Sequence, residues 1–269
     1  MTLFAASRKA DDFLMNLNYK VLGQGEPVII LHGLFGMLDN WMAFGKQLSS
    51  DYTVFLVDLP NHGRSPHIPE MNYQILADAL KEFMEDLWIY EAALVGHSMG
   101  GKVAMQAALS YSDLVSKLVV FDIAPKKYTS NHDKILMALS NINLNGIELR
   151  SQVEEELLAE IKDPGVTSSL AKNIQRTKDG GFEWKLNLES ITSSFENILE
   201  APVLTDQEYQ KETVFFRGEL SPYISTNEDN LILRYFPKAV VETIPNAGHW
   251  LHVDAFEILL DKVRKFLSS

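Results

Sequence analysis

Ala92-Ala93-Leu94-Val95-Gly96-His97-Ser98-Met99-Gly100-Gly101-Lys102-Val103-Ala104-Met105-Gln106-Ala107-Ala108 is the stretch whose reading settles the architecture. Residues 92–95 are apolar and read as a short buried strand. Met99, Val103, Ala107 and Ala108 recur at helical spacing and predict a helix ending near Tyr111. Between the two lies Gly96-x-Ser98-x-Gly100. A strand that passes so abruptly into a helix leaves room only for small side chains two positions either side of the serine. Such a turn lifts the Ser98 hydroxyl above the strand ends. The helix that starts there aims its free N–H groups and the positive end of its dipole at the same spot. The string of residues alone is a modest signal, and the strand before it and helix after it give it weight.

The alternation continues outward. Residues 28–31 are apolar, mostly β-branched, and close on His32-Gly33; residues 18–22 form a strand before them that turns at Gly23-Gln24-Gly25; 52–57 is a further strand. Ile75, Leu76, Leu80, Phe83, Met84 and Leu87 give 73–90 a helical period. Strands are predicted at 118–121, 213–216 and 239–244, and a closing helix at 255–267 with Phe256, Leu259, Leu260, Val263 and Phe266 on its apolar side. Strands alternating with helices predict an α/β fold, a mostly parallel sheet with helices on both faces. Ligands of such sheets sit beyond the carboxyl ends of the strands, so the loops directly after strands are where chemistry is sought.

One stretch breaks the pattern. Residues 122–213 offer no convincing buried strand and read as helices at 131–143, 146–162, 164–176 and 188–199, with Pro164 at a permitted first position. A connection this long is usually a lid or an inserted lobe. We expect residues 125–200 to form an inserted helical cap over the strand ends, with 1–124 and 201–269 as the core domain; the competing reading is that these helices extend the main domain.

Composition narrows the function. The chain has 269 residues, 46% hydrophobic and 22% charged, with Trp 4, Tyr 9 and Phe 14, which suits one large globular domain with a sizeable core. A net charge of −12 argues against a surface that tracks nucleic-acid phosphates. No apolar run approaches the roughly 20 residues of a membrane-spanning helix. With no cysteine there are no disulfides, thiolate metal sites or cysteine nucleophiles, which fits a reducing compartment. Residues 1–6 are apolar, but Arg8, Lys9, Asp11 and Asp12 follow at once, so a signal peptide is not read there. A first strand or an expression remnant suits them better, and a cytoplasmic location is expected.

A serine that attacks an acyl group needs donors for the oxyanion and a base. The backbone N–H of Met99 supplies one donor, and the loop His32-Gly33-Leu34-Phe35-Gly36 after strand 28–31 supplies the second through Leu34. His32 itself is expected to be buried and bonded to backbone. Among the seven histidines, His249 in Asn246-Ala247-Gly248-His249-Trp250 follows the last strand, where the base is expected. His252 reads as the beginning of the helix, His97 is expected to point away along the turn, and His132 lies in the proposed cap. In the commonest layout the acid stands three residues after the glycine that ends strand 213–216, but three residues beyond Gly218 is Ser221. Glu219 is close but at the wrong offset. Asp122, at the end of strand 118–121, is the stronger candidate, because that strand should lie beside the one carrying Ser98, about 4.8 Å away. Ser221 would then hydrogen-bond the acid or the histidine, or be an ordinary turn residue before Pro222.

These residues resemble the α/β-hydrolase superfamily. His32-Gly33-x-x-Gly36, Asp58-Leu59-Pro60-Asn61-His62-Gly63-Arg64-Ser65, the 96–101 elbow and Gly248-His249 occur in its order and spacing. In closer detail the chain looks like the YbfF-type bacterial esterases, through Asp39-Asn40-Trp41, Lys102 after the elbow, Phe121-Asp122-Ile123-Ala124-Pro125, and Phe216-Arg217-Gly218 with Ser221-Pro222-Tyr223-Ile224. That resemblance implies hydrolysis of esters and acyl thioesters, a helical cap, no cofactor, and an acid after the family's sixth strand, here Asp122; no metal site is assigned. Asn61 departs from it, since the superfamily often has glycine there. The expected activity is that of a serine hydrolase acting on a small-molecule ester or thioester. Met137, Leu139, Ile142, Leu144 and Trp184 are candidates for an apolar wall around the acyl chain, with cap core the commoner role of such residues. Carbon–carbon bond hydrolysis or cofactor-free haloperoxidation would use the same three groups, and a non-enzymatic small-molecule binder is the remaining reading.

Overall fold

The computed structural model describes residues 16–129, 133–203 and 207–269. Residues 1–6 and His132 lie outside them. Among the described residues seven strands make one sheet: β1 (Tyr19–Leu22), β2 (Pro27–Leu31), β3 (Thr53–Val57), β4 (Ala92–His97), β5 (Val115–Phe121), β8 (Thr213–Gly218) and β9 (Ala239–Ile244), in the order β1-β3-β2-β4-β5-β8-β9. All neighbours run parallel except β1, which is antiparallel to β3. The expected α/β architecture is the one observed.

Period-two alternation explains both faces. On β2, Ile29 and Leu31 join one apolar cluster, together with Leu94, Val120 and Phe215. Val28 and Ile30 join the other, with Val95, Val119, Phe121 and Phe216. The first face is covered by α2 (Tyr73–Asp86) and α3 (Met99–Ser110), the second by α1 (Met42–Leu48) and α11 (Phe256–Leu267). Each such side chain contributes about 1.5–3 kcal/mol when fully buried, so both layers are held firmly. Helix α2 stops at Asp86 rather than at residue 90, because Trp88 adopts φ 56° and the Ile89 N–H closes onto the Met84 carbonyl at 2.8 Å. Helix α1 is only seven residues long and contains Gly45, so periodicity does not announce it.

The stretch between β5 and β8 holds α4 (Asp133–Asn141), α5 (Arg150–Ile161), α6 (Pro164–Leu170), α7 (Leu188–Ser193) and α8 (Phe195–Leu199). Two expectations change here. The helix predicted over 164–176 ends early, and β6 (Ile174–Arg176) pairs antiparallel with β7 (Phe182–Trp184) as a separate two-stranded sheet. The helix predicted over 188–199 is broken at Ser194, whose side chain is committed to the Met71 N–H at 2.9 Å. Where the stretch begins and ends, the Tyr128 N–H donates to the Leu199 carbonyl at 2.9 Å, so its two ends are tied to each other. After β8 come α9 (Asp229–Tyr235) and, before α11, the short α10 (Leu251–Asp254). Among the described residues no helix is long and apolar enough to cross a membrane.

The approach of α3 to the sheet is very close. A Cβ on Gly100 would stand 2.5 Å from both the Leu31 and His32 carbonyl oxygens, and one on Gly96 would stand 2.3 Å from the Gly100 carbonyl oxygen. These are backbone atoms and cannot yield locally. Gly100→Ala is therefore expected to destabilise the fold by about 3 kcal/mol, read as a lower urea midpoint. Gly165→Ala, in helical backbone with its nearest neighbour at 3.4 Å, should raise stability by about 0.5–1 kcal/mol in the same assay.

Candidate active site

Ser98 stands between β4 and α3 with φ 52° and ψ −118°. A non-glycine residue held there carries about 1–3 kcal/mol of strain, which the surrounding packing must sustain. The Ser98 N–H donates to the Phe121 carbonyl at 3.1 Å, which locks the elbow to the neighbouring strand. The side chain does not cap α3 and is left facing a cavity.

Asp122 follows β5 and is fully buried. Its Oδ1 accepts the Gly218 N–H at 3.0 Å, and its Oδ2 accepts His249 Nδ1–H at 2.8 Å and the Ser221 hydroxyl. Since β5 lies between β4 and β8, the carboxylate stands one strand away from both Ser98 and the 218–223 loop. A carboxylate that receives Nδ1–H fixes the imidazole tautomer and leaves the Nε2 lone pair for other work. The Glu219 carboxylate is turned elsewhere, accepting the Asn246 N–H at 2.8 Å.

Tyr223 and His97 also hold His249, and sequence reading assigned neither contact. The Tyr223 ring stacks on the imidazole at 3.8 Å between centroids and 17° between planes. The Tyr223 N–H in turn donates to Ser221 Oγ at 3.2 Å. His97 does not point away as expected; its Nε2–H donates to the His249 carbonyl at 2.9 Å and its ring lies 4.7 Å from the His249 ring. His252 lies within α10, its ring stacked on Trp41 at 4.1 Å. The only advance signal for Tyr223 was its place in the Ser221–Ile224 string, and a stacking partner cannot be read from spacing.

Ser98 and His249 open onto adjoining cavities. The first is lined by Ser98, Met99, Lys102, Ile123, Ile198 and Leu199, the second by His249, Trp250, Phe35, Ile135, Val166 and Leu170; Leu34 and Tyr223 wall both. Among the described residues Ser98 Oγ makes no hydrogen bond to the imidazole; such bonds are often long in unliganded sites and tighten with substrate. Of the residues weighed as acyl wall or cap core, most take the core role. Met137 is exposed, Leu139 is buried in the core, and Trp184 lines a separate cleft with Gly63 and Arg64. Ile142 and Leu144 pack partly buried against the core cluster.

Lys102 lies one turn beyond Ser98 and is almost fully buried. Its ammonium donates to the carbonyls of Leu199 (3.2 Å) and Glu200 (2.5 Å) and lies 5.1 Å and 4.9 Å from the ring centroids of Tyr73 and Tyr128. Burial pulls its pKa down to about 7, against the opposing pull of the Glu200 carboxylate. Among the described residues no group of three or more His, Asp or Glu is arranged to hold a metal ion.

Residues 26–144 match a family model described as the alpha/beta hydrolase fold. An sn-1-specific diacylglycerol lipase ABHD11 from Danio rerio is 37% identical over 252 residues, 89% of this chain and 78% of the relative. Esterase YbfF from Escherichia coli strain K12 is 32% identical, over 90% of this chain and 93% of the relative. The chain belongs to the α/β-hydrolase family. A solved marine microorganism esterase superposes with a TM-score of 0.91 at 39% identity, covering 94% of this chain and 99% of that one. With those relatives and that fold, the protein is a carboxylic ester hydrolase of the α/β-hydrolase type.

In this hydrolase the 32–36 loop, which carries Leu34, is pinned by two buried histidines. His32 donates Nδ1–H to the Gly33 carbonyl at 2.8 Å and accepts the Leu59 N–H on Nε2 at 3.0 Å. His62 donates to the Pro60 carbonyl at 2.9 Å and accepts the Phe35 N–H at 3.2 Å. Each ring accepts a backbone N–H on one nitrogen, so each must be neutral. Asp58 completes the clamp, accepting N–H groups from Leu38 (2.7 Å) and Arg64 (2.9 Å). Asn61, with φ 66°, takes the left-handed backbone that glycine or asparagine tolerates, and its side chain donates to Ser190 Oγ at 2.9 Å. Burial draws the pKa of His32 down to about 4, and burial plus the neighbouring His32 draws His62 to about 3.

Both values lie below that of an unfolded histidine. The unfolded chain therefore takes up more protons, and the stability from these rings is complete above about pH 6.5 and lost as pH falls toward 4 and then 3. From these two rings urea midpoints should decline as pH falls below about 6.5. His62→Asn should lower the midpoint at pH 7 and make the acid decline shallower.

Proposed function

We propose that hydrolysis proceeds through an acyl-enzyme on Ser98, with His249 as base and then acid, and Asp122 as the carboxylate that orients it. The observation that carries this is the 2.8 Å bond from His249 Nδ1 to a fully buried Asp122, at the end of the strand next to the one that leads into a serine held at φ 52°. Ser98 attacks the acyl carbonyl as His249 Nε2 takes its proton. The N–H groups of Leu34 and Met99 receive the developing oxyanion; each such donor is worth about 2.7–4 kcal/mol of barrier. His249 passes the proton to the leaving atom, then takes one from a water that attacks the acyl carbon; the acyl–Oγ bond breaks as His249 returns that proton to Ser98 Oγ, and the acid is released. Asp122 stabilises the imidazolium without taking its proton. Ser221 steadies the carboxylate oxygen that faces the imidazole.

Residues 125–200 serve as a cap over this site, and 1–124 with 201–269 as the core that carries the chemistry. Contacts from both sides support that division: Asn173 Nδ2 donates to the Phe35 carbonyl at 2.8 Å and Tyr73 OH to the Ile198 carbonyl at 2.5 Å. The machinery touches only the carbonyl and the leaving atom, so acyl thioesters are substrates alongside oxygen esters. Residues at the site supply nucleophile, base, acid and oxyanion donors, and no step requires a cofactor.

Ser98→Ala should lower kcat for p-nitrophenyl butyrate about a million-fold, and Asp122→Asn about ten-thousand-fold by inverting the imidazole tautomer. Glu219→Gln should stay within about twofold of wild type, as an exposed residue outside the reacting groups. A dead Glu219→Gln beside an active Asp122→Asn would reverse the assignment of the acid. Butyryl thioesters assayed alongside decide the breadth of leaving group, since hydrolysis of the oxygen ester alone would restrict the enzyme to esters.

A further inference from the structure

We infer that the two cavities divide the substrate, with a short acyl group on the Ser98 side and a bulky apolar leaving group on the His249 side. This rests on the ester hydrolysis proposed above. The division follows from where protons must go. The imidazole gives its proton to the leaving atom, so that atom must lie at His249, and the group it carries extends into the cavity His249 lines. The carbonyl carbon bonds to Ser98 with its oxygen toward Leu34 and Met99, and the remaining substituent points into the cavity these three residues line. Leu34 and Tyr223 border both spaces and form the partition between them.

The sizes differ sharply. The Ser98 cavity measures about 40 Å³ and the His249 cavity about 270 Å³. The smaller space favours a short acyl group over a long one. Its far wall is tethered. Tyr73 OH holds the Ile198 carbonyl at 2.5 Å, Lys102 holds the Leu199 carbonyl at 3.2 Å, and the Tyr128 N–H holds the same carbonyl at 2.9 Å. Deepening the cavity means breaking these bonds and exposing a buried ammonium. The larger space is walled by Ile135, Val166 and Leu170, apolar side chains of α4 and α6, and suits an aromatic or branched leaving group.

Two substrate series test the division: p-nitrophenyl esters from acetate to laurate, and acetates of small and large phenols matched for acidity. In the wild type, kcat/KM should fall at least about tenfold from butyrate to octanoate, while naphthyl acetate stays within a few-fold of phenyl acetate. Ile198→Ala should raise the octanoate-to-butyrate ratio about tenfold. Tyr73→Phe, which removes one tether but keeps the ring, should move the ratio the same way; thermal melting of both variants checks that they fold. Octanoate cleaved as fast as butyrate, or a penalty of tenfold or more on naphthyl acetate, overturns the division while leaving ester hydrolysis intact. An unchanged ratio in both folded variants does the same. No cleavage in either series, or full activity in Ser98→Ala, overturns the ester reading and the division with it.

Discussion

Everything at the site depends on how closely helix α3 is pressed against the ends of β2 and β4. Gly96 and Gly100 permit that approach, and any added carbon at either would strike backbone oxygen. The same closeness puts Ser98 into a strained conformation and brings the first turn of α3 up to the 32–36 loop. A Cβ on Gly33 would meet the Ser98 Cβ at 3.3 Å, so Ser98 and the 32–36 loop are separated by little more than a van der Waals contact. Strain of about 1–3 kcal/mol at one residue is sustainable because two apolar layers bury the sheet on both faces.

Rigidity around this point comes from polar groups that are buried and fully used. Asp122 serves three donors with two oxygens. His32 and His62 each bridge two backbone groups in one tautomer, and Asp58 gathers the N–H groups of two loops. Such groups are costly when left unpaired and directional when paired, so they set loop positions more sharply than apolar contact does. Lys102 plays the same part on the other side, its ammonium joining α3 to the end of α8. The Ser98 side of the site is thus bounded by hydrogen bonds and the His249 side by apolar packing.

The core was legible because its signals are local. Strand β9 occupies the predicted 239–244, and β4 and α3 differ from their predicted limits by only a residue or two. Boundaries slipped where a single left-handed residue intervened, as at Trp88, or where a tertiary hydrogen bond claimed a side chain, as at Ser194. The β6–β7 hairpin escaped notice because its strands are short, half exposed and carry no alternation to detect.

Amino-acid order alone singled out the three groups proposed for the chemistry: a serine at a strand–helix turn, a histidine after the last strand and an aspartate at the end of the strand beside the serine's. These follow from short-range sterics and from chain order, which set where strand ends fall. Tertiary structure alone decided that Tyr223 lies flat on His249, that His97 holds the His249 backbone, and that Leu34 and Tyr223 part a small cavity from a large one. Those contacts join residues up to 152 positions apart, and no periodicity in a chain records which of its distant side chains will meet across a loop.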